Sequence, residues 1–214
     1  MFTMMNNARL GVGGQGIGVA EAAFQHSTEY ALNRKQGKST IQNKHGTIID
    51  HADVRRMLIS MRADIFASRS IELENAKAID MANATGEPEW INKAAFLTPI
   101  TKVFGTEIGI NISNLGVQIH GGMGFIEETG AAQFSRDVRV TAIYEGTNGI
   151  QAMDLVGRKM MDNGETAYAI INQIKEYIDN SNNDINIYNF PWKIDEISSI
   201  TLIGCGTAYH SCLM

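Results

Sequence analysis

Small and apolar residues recur at steps of three and four along the first 160 residues, and this spacing constrains the fold more than any other feature. The first such face consists of Ile17, Ala20, Phe24, Ser27 and Ala31. Side chains at this spacing lie on one side of an α-helix. Only three prolines occur in the 214 residues, so few positions oppose long helices. The segment is therefore predicted to form the first helix.

The same spacing predicts further helices, each bounded by a residue type that begins or ends helices. Glycine after a periodic segment supplies the left-handed turn that closes a helix, and threonine before one accepts backbone N–H groups. The predicted helices run from about Val54 until Gly86 stops the pattern, from about Trp90 to His120, from Ala131 to Val138, and from Thr147, the expected N-cap, to about Lys159. Four main helices joined by short loops predict an all-α antiparallel bundle.

Charge and cysteine usage exclude several classes of partner. The chain has 18 Lys and Arg against 23 Asp and Glu, and no basic block, so we expect no nucleic-acid partner. Its two cysteines, Cys205 and Cys212, both lie in the last ten residues, which argues against a disulfide framework or a metal site. A secretory signal and an apolar run of about 18 residues are both missing. We therefore expect a cytoplasmic protein without a membrane span.

Glu145, in the segment IYEGTNGIQ, has two interpretations. Its carboxylate could be held against an apolar surface, where burial raises the pKa and makes a competent base. Alternatively, Glu145 is an acidic residue in the first turn of a helix, where the helix dipole favours it. The residue types alone favour the second interpretation, because acidic residues are common there.

The run QIHGGMGF, residues 118 to 125, also has two interpretations. Its glycines would let backbone N–H groups approach a phosphate closely. The same glycines would equally close a helix, which the sequence favours. His120 is interpreted as a partly buried histidine, since no second metal ligand stands at a suitable spacing.

Two other patterns are ambiguous. Gly11, Gly13 and Gly16 match the spacing of a dinucleotide-binding motif, but no strand precedes them, so we interpret them as small residues that let two helices pack closely. Arg34, with Lys35 and Lys38, either complements the dipole of the first helix or holds a pyrophosphate from a neighbouring subunit.

Three segments together resemble the C-terminal domain of the acyl-CoA dehydrogenase family. They are ARLGVGGQGIGVAEAAFQHSTEYALNRKQGK, HADVRRML and LGVQIHGGMGFIEETGAAQFSRDVRVTAIYEGTNGIQAMDLVGRKM, and the likeness covers about residues 2 to 161. Within the family, the sequence is most similar to the larger bacterial branch that includes 3-methylmercaptopropionyl-CoA dehydrogenase. The resemblance implies a helical bundle in a flavoprotein that oxidises an acyl-CoA to the 2-enoyl-CoA. It therefore favours the first interpretation of Glu145.

The resemblance also implies roles for individual residues. Glu145 matches the glutamate that removes the α-proton while the β-hydride goes to flavin N5. FAD contacts, partly across a subunit interface, are implied for Arg34, Gln118, Ile119, His120, Gly121, Gly122, Thr147, Asn148 and Gly149, and acyl-CoA contacts for Asn6, Arg9 and Gly146. The implied partners are an acyl-CoA substrate, further copies of the chain in a dimer or tetramer, and an electron-transfer flavoprotein as electron acceptor.

The family's N-terminal helical domain and middle β-domain have no counterpart in the sequence, so we expect the chain to be a fragment that is inactive alone. Two further functions stay open at this point. One is a non-catalytic helical module that forms an oligomer interface. The other is a sugar-phosphate-binding fragment, which the tail of the chain suggests.

The tail differs in character from the preceding segments. Residues 165–192 are rich in Asn and Asp and are predicted to be a linker after a bundle over 1–164. Residues 193–214 are predicted to form a strand, turn and helix. They resemble the start of the sugar-isomerase domain of glutamine:fructose-6-phosphate aminotransferase, in which the turn matching Cys205-Gly206-Thr207 helps to hold a sugar phosphate.

Overall fold

The computed structural model describes residues 2–39, 41, 46–176, 178–179 and 184–185. The chain divides into two compact units, Met1–Met161 and Asp162–Met214. The strand, turn and helix predicted over 193–214, with Cys205, Gly206 and Thr207, lie outside the described residues.

The first unit is helical, as the spacing predicts. Its α-helices are α1 (Phe2–Asn33), α2 (Ala52–Thr85), α3 (Pro88–His120), α4 (Gly122–Phe125), α5 (Ala131–Val138) and α6 (Asn148–Asp154). Short 3₁₀ helices cover Ile48–Asp50, Glu127–Thr129 and Arg139–Ala142, and a π-helix covers Leu155–Lys159. Over the described part of the chain, no helix is both long enough and apolar enough to cross a membrane. The predicted all-α class is confirmed.

Contacts between the three long helices set their directions. Gly13 and Gly16 of α1 lie against Thr101 and Gly105 of α3, and further along Tyr30 of α1 stacks on His120 of α3, so these two helices run parallel. Helices α1 and α2 run antiparallel, because Gly14 lies against Glu72 and the later residue Glu21 bonds to the earlier residue Arg69. The bundle is therefore up, down and up, with the core between the three helices at Ala20, Ala23, Met61, Ile65, Ile108 and Ile112.

Glycines bring α1 and α3 unusually close. A Cβ added to Gly13 would lie 2.9 Å from the Thr101 carbonyl oxygen, and one added to Gly109 would lie 2.7 Å from that of Gly16. Added to Gly105, it would lie 2.5 Å from the Gly13 carbonyl oxygen. The interpretation of Gly13 and Gly16 as helix-packing residues is confirmed. Gly11 takes no part, since nothing lies within 4 Å of its added Cβ.

The fourth main helix covers the predicted residues but changes its hydrogen-bond pattern part-way. After Thr147 the chain forms seven α-helical residues, α6, and continues directly into a π-helix over Leu155–Lys159, where the helix was predicted to end. Thr147 is the N-cap, as predicted, and its hydroxyl oxygen accepts a 3.4 Å hydrogen bond from the backbone N–H of Ile150. Three long helices and this shorter fourth one therefore make the bundle.

The second unit contains a helix where the sequence predicts a linker. Helix α7 covers Glu165–Glu176, and strands β1 (Ile178–Asp179) and β2 (Asp184–Ile185) pair antiparallel. The carboxylate of Asp162 accepts hydrogen bonds from the backbone N–H groups of Gly164 and Thr166, at 2.9 and 3.0 Å. Those bonds satisfy donors at the start of α7. The Asn-rich composition that suggests a linker follows α7 rather than including it.

Candidate functional site

Glu145 lies on a turn between the 3₁₀ turn Arg139–Ala142 and α6. Its φ is 54°, and that of Gly146 is 86°, so two consecutive residues are left-handed. Helix α6 begins three residues after Glu145, at Asn148, so the interpretation of Glu145 as a first-turn acid is wrong. The expected burial is also not seen: within the described chain the side chain of Glu145 is exposed. The bundle therefore places Glu145 on a left-handed turn and does not enclose it in an apolar pocket.

The side chain of Gln151 holds the turn through two hydrogen bonds. Its amide nitrogen donates to the backbone carbonyl oxygens of Glu145 and Gly146, at 3.2 and 3.1 Å. The Gln151 side chain is completely buried. Gly146 thus contributes through its backbone, and a Cβ there would lie 2.8 Å from the Gln151 amide nitrogen.

Asn148, at the start of α6, ties the turn to α3. Its side-chain oxygen accepts a 2.9 Å hydrogen bond from the ammonium group of Lys102, and its side-chain nitrogen donates to the Glu107 carboxylate at 2.7 Å. Its oxygen also accepts from the Thr106 hydroxyl at 3.3 Å. Both polar atoms of the Asn148 amide are therefore bonded to side chains of α3.

Lys102 is a completely buried lysine. Burial lowers its pKa, the positive charge of Arg9 lowers it further, and the carboxylate of Glu107 raises it. Desolvation disfavours the charged ammonium form, which explains the direction of the main shift. Two cationic side chains, those of Lys102 and Arg9, thus lie within electrostatic reach of each other inside the bundle.

Arg9 forms a buried ion pair with Asp154. The guanidinium nitrogen lies 2.9 Å from a carboxylate oxygen, and the two side chains are 9% and 6% exposed. Arg158 approaches the other carboxylate oxygen at 3.5 Å. Arg9 therefore joins α1 to the end of α6, so the structure gives this predicted substrate residue an internal partner.

Asn6 lies one turn before Arg9 on α1 and lines a cavity of about 280 Å³. Asn7 on the same helix, Ile79 and Asn83 of α2, and Ala94 and Thr98 of α3 also line this cavity. Asn6, Arg9 and the Glu145 turn are thus connected through α1 and α6.

The other predicted residues gather at the C-terminal ends of α1 and α3. Gly121 caps α3 with φ of 60°, and its N–H donates to the Gln118 carbonyl oxygen at 3.1 Å. The helix-closing interpretation is confirmed for Gly121, whereas Gly122 begins α4. Arg34 directly follows α1 and is exposed, with its guanidinium 3.5 Å from the side-chain oxygen of Gln36.

His120 is buried in an aromatic stack at this end. Its ring lies 4.2 Å from that of Tyr30 and 4.7 Å from that of His26, measured between centroids. Its Nδ1 bonds to the Gly116 carbonyl oxygen at 2.7 Å. Burial lowers the pKa of His120, the bond to Gly116 raises it, and His26 lowers it.

The two groups of predicted residues are far apart in one copy of the chain. Asn148 bonds to Lys102 and Glu107, which lie 16 and 11 residues before Gln118 on α3, and 11 residues correspond to about 16 Å along a helix that rises about 1.5 Å per residue. Residues at the Gln118–Gly122 end therefore cannot contact a small group bound beside Glu145 in the same chain.

Residues 1–161 match the family model described as the acyl-CoA dehydrogenase C-terminal domain. The chain belongs to this family. It is 48% identical over 173 residues to 3-methylmercaptopropionyl-CoA dehydrogenase from Ruegeria pomeroyi, covering 78% of the chain and 29% of that protein. It is 34% identical over 187 residues to a butyryl-CoA dehydrogenase from Syntrophomonas wolfei, covering 84% of the chain and 31% of the relative.

Solved structures agree with this family membership. The chain superposes on butyryl-CoA dehydrogenase from Megasphaera elsdenii with a TM-score of 0.60 and 29% identity, over 72% of the chain and 36% of that structure. ACDH-11 from Caenorhabditis elegans, solved with C11-CoA, shares the fold with a TM-score of 0.70 at 19% identity, over 82% of the chain and 28% of that structure. The chain thus spans about a third or less of the length of these relatives.

Three residues of the site escaped the sequence analysis: Lys102, Gln151 and Asp154. A signal for two of them exists in the sequence. Asn148, Gln151 and Asp154 are spaced by three, which places three polar side chains on one face of α6. Polar side chains on one face of a helix that packs on a bundle indicate hydrogen bonds or ion pairs with the neighbouring helices. For Lys102 there is no such signal, since its partner Asn148 is 46 residues away.

Proposed function

We propose that the chain is the C-terminal domain of an FAD-dependent acyl-CoA dehydrogenase and that Glu145 is its catalytic base. The observation that carries the proposal is the left-handed turn of Glu145 and Gly146, held by the buried amide of Gln151, at the start of α6. Strained backbone of this kind persists where the surrounding structure holds it, and it clusters at active sites. The family membership supports the same role.

In the proposed reaction, the carboxylate of Glu145 takes the α-proton of an acyl-CoA thioester. Bound FAD supplies the acceptor of the β-hydride at flavin N5, and the product is the 2-enoyl-CoA. Because Glu145 is exposed in this chain, the surface that excludes water from the base would come from outside the bundle. Such exclusion strengthens the electrostatic interaction of the carboxylate with the substrate. The domain itself supplies the position of the base.

Two parts of the chain fit the cofactor. Arg34 is an exposed cation, and nothing lies within 4 Å of a Cβ added to Gly121 or Gly122. A guanidinium and glycine backbone that a phosphate can approach without a side chain in the way suit a pyrophosphate. The second part is Thr147 and Gly149, whose backbone would contact FAD beside Glu145. Asn148 fits through its backbone only, because its amide is bonded to Lys102 and Glu107.

The separation between these two parts supports an oligomer. At about 16 Å or more along α3 from the contacts of Asn148, the Gln118–Gly122 end would contact FAD bound to another copy of the chain. Exposed apolar side chains near that end include Met123, Phe125 and Ile126. Contiguous exposed apolar side chains mark interaction surfaces. We propose a dimer or tetramer, with an electron-transfer flavoprotein as the electron acceptor and the cytoplasm as the location.

Substrate contacts are proposed for Asn6, Arg9 and Gly146. Asn6 lines the cavity between the three long helices. The Arg9 guanidinium is buried against Asp154, with its Nε lacking a partner among the described residues. We also propose that residues 1–164 are the bundle domain, that 165–192 connect it to the tail, and that 193–214 are a separate sugar-isomerase-like segment.

A hybrid enzyme tests the role of Glu145. Residues 1–161 would replace the matching segment of the Ruegeria pomeroyi relative, and the purified hybrid would be mixed anaerobically with butyryl-CoA or 3-methylmercaptopropionyl-CoA. We expect the flavin absorbance to bleach. In Glu145→Gln the flavin stays bound but bleaching slows at least about 10²- to 10⁴-fold, the usual contribution of a positioned base.

Glu128→Gln is the matched control, because it removes an exposed carboxylate from the Glu127–Thr129 turn. It should bleach at the original rate. Equal rates for Glu145→Gln and the unmodified hybrid would show that Glu145 is not the base. A hybrid that assembles but binds no flavin would favour a non-catalytic helical oligomer module.

A further inference from the structure

The backbone at Glu145 adopts a conformation that its residue type disfavours. Glu145 has φ of 54°, and only one other non-glycine residue in the described chain, Asn163, has positive φ. Asparagine tolerates the left-handed region, whereas glutamate has no local hydrogen bond that compensates for the crowding of its Cβ. Such a conformation persists only when neighbouring groups hold it.

Gln151 supplies that hold. One amide nitrogen, with two N–H groups, donates to two consecutive carbonyl oxygens, those of Glu145 and Gly146. Both bonds lie on the two residues with positive φ. The amide therefore links the two peptide groups on either side of the Gly146 Cα to the helix that follows.

The position of Gln151 is itself fixed. It lies on α6, whose first turn is capped by Thr147 and joined to α3 by the bond between Asn148 and Lys102. At the end of α6, Asp154 pairs with Arg9 of α1. Helix α6 is thus attached at both ends to the long helices, and its central glutamine can act as a rigid support.

Filling space does not account for a glutamine at this position. A buried polar group without partners is destabilising, and the Gln151 side-chain oxygen has no partner among the described residues. Methionine would occupy a similar volume without that penalty. The two donated bonds are therefore what the amide contributes.

We propose that Gln151 is a positioning residue that holds the Glu145–Gly146 turn left-handed and so sets the direction of the Glu145 carboxylate. The proposal rests on the proposed function of Glu145. Gln151 acts through the backbone and does not touch the reacting atoms.

Nitrogen-15 relaxation of the full chain tests the proposal without flavin or acyl-CoA. In the native sequence, we expect backbone order parameters at residues 145–147 near the rigid value of about 0.85. Gln151→Met removes the donor at similar volume, and we expect values below about 0.6 at these residues. Gln25→Met makes the same chemical change on the exposed face of α1 and should leave them unchanged.

Gln151→Glu gives a second measurement that does not depend on whether the methionine variant folds. A carboxylate only accepts hydrogen bonds, whereas a protonated carboxyl group donates one. The turn should be mobile at pH values where the introduced carboxyl is ionised and should regain order as acid protonates it. The native turn should show no such recovery.

Unchanged order parameters in Gln151→Met, or order in Gln151→Glu that does not vary with pH, would overturn the proposal. Neither outcome bears on whether Glu145 is the base, which the bleaching experiment decides. Conversely, a Glu145→Gln hybrid that bleaches normally would refute the proposed function while leaving these order parameters as expected.

Discussion

The two ends of the bundle use their polar side chains differently. At the Glu145 end, Arg9 pairs with Asp154, and Lys102 bonds to Asn148, so charged and amide groups are committed to holding the backbone. At the other end, His120 is buried in an aromatic stack while Arg34, Gln118, Gly121 and Gly122 are exposed. One end positions a residue of its own chain. The other leaves the guanidinium of Arg34 and the amide of Gln118 at its surface.

The largest expected effect comes from removing a charge at the Glu145 end. Asp154→Ala leaves the guanidinium of Arg9 buried without its partner, which costs about 3–5 kcal/mol in comparable buried pairs. Chemical denaturation followed by helical circular dichroism would measure the free energy of unfolding.

Asp53→Ala is the matched control for Asp154→Ala. It breaks an ion pair with Arg56 in which the side chains are 71% and 67% exposed, and such pairs contribute about 0–1 kcal/mol. Equal losses in the two variants would contradict the view that the Glu145 end depends on internal charge pairing.

A glycine substitution between the two ends should have a somewhat smaller effect. In Gly109→Ala the new methyl group would lie 2.7 Å from both the Gly16 carbonyl oxygen and a Val138 methyl carbon. Overpacking of this kind costs about 1–3 kcal/mol, and the same denaturation measurement would detect it.

Gly18→Ala makes the same change on α1, where nothing lies within 4 Å of the added Cβ. It should stabilise the chain by up to about 1 kcal/mol, because alanine has the higher helix propensity. A lower free energy of unfolding in Gly109→Ala and a higher one in Gly18→Ala would distinguish the contact face of these helices from their exposed face. Stabilisation by Gly109→Ala would refute it.

The smallest effect is expected at the His120 end and depends on pH. Burial lowers the pKa of His120 below 6.5, so the folded state favours neutral imidazole. This contribution to stability is complete above about pH 6.5 and is lost as the pH falls through that value towards the folded pKa. His120→Phe keeps a ring beside Tyr30 and His26 but cannot take up a proton.

The free energy of unfolding of both proteins would be measured between about pH 8 and pH 5, the range in which histidine titrates. The native chain should lose more stability than His120→Phe over this range. Equal losses would mean that other groups cause the acid sensitivity of this end.

Local patterns predicted most of the helices because each boundary has a local cause. Gly86 and Gly121 end helices with positive φ, and Thr147 caps α6 through its own hydroxyl. The Asp162 carboxylate at the start of α7 is an equally local signal. The Asn-rich sequence beyond α7 nevertheless led to the prediction of a linker that includes the residues of α7.

The contacts that hold the Glu145 turn and α6 in place were harder to predict. Arg9 and Asp154 are 145 residues apart, and Lys102 and Asn148 are 46 apart. Helical periodicity carries no information on such pairs, since it reports only which residues share a face. The motif around Glu145 indicated where a base would stand, but it did not reveal the left-handed turn or the glutamine behind it.

The parallel packing of α1 and α3 limits which length changes the chain tolerates. The glycines at 13, 16, 105 and 109 fix one helix against the other. One residue inserted after Gly16 would turn the rest of α1 by about 100° and advance it by about 1.5 Å. The Tyr30 ring would then turn away from the His120 ring, on which it stacks. The segment between α1 and α2 can therefore change in length without this effect, whereas the helical stretch from Gly16 to Tyr30 must keep its length.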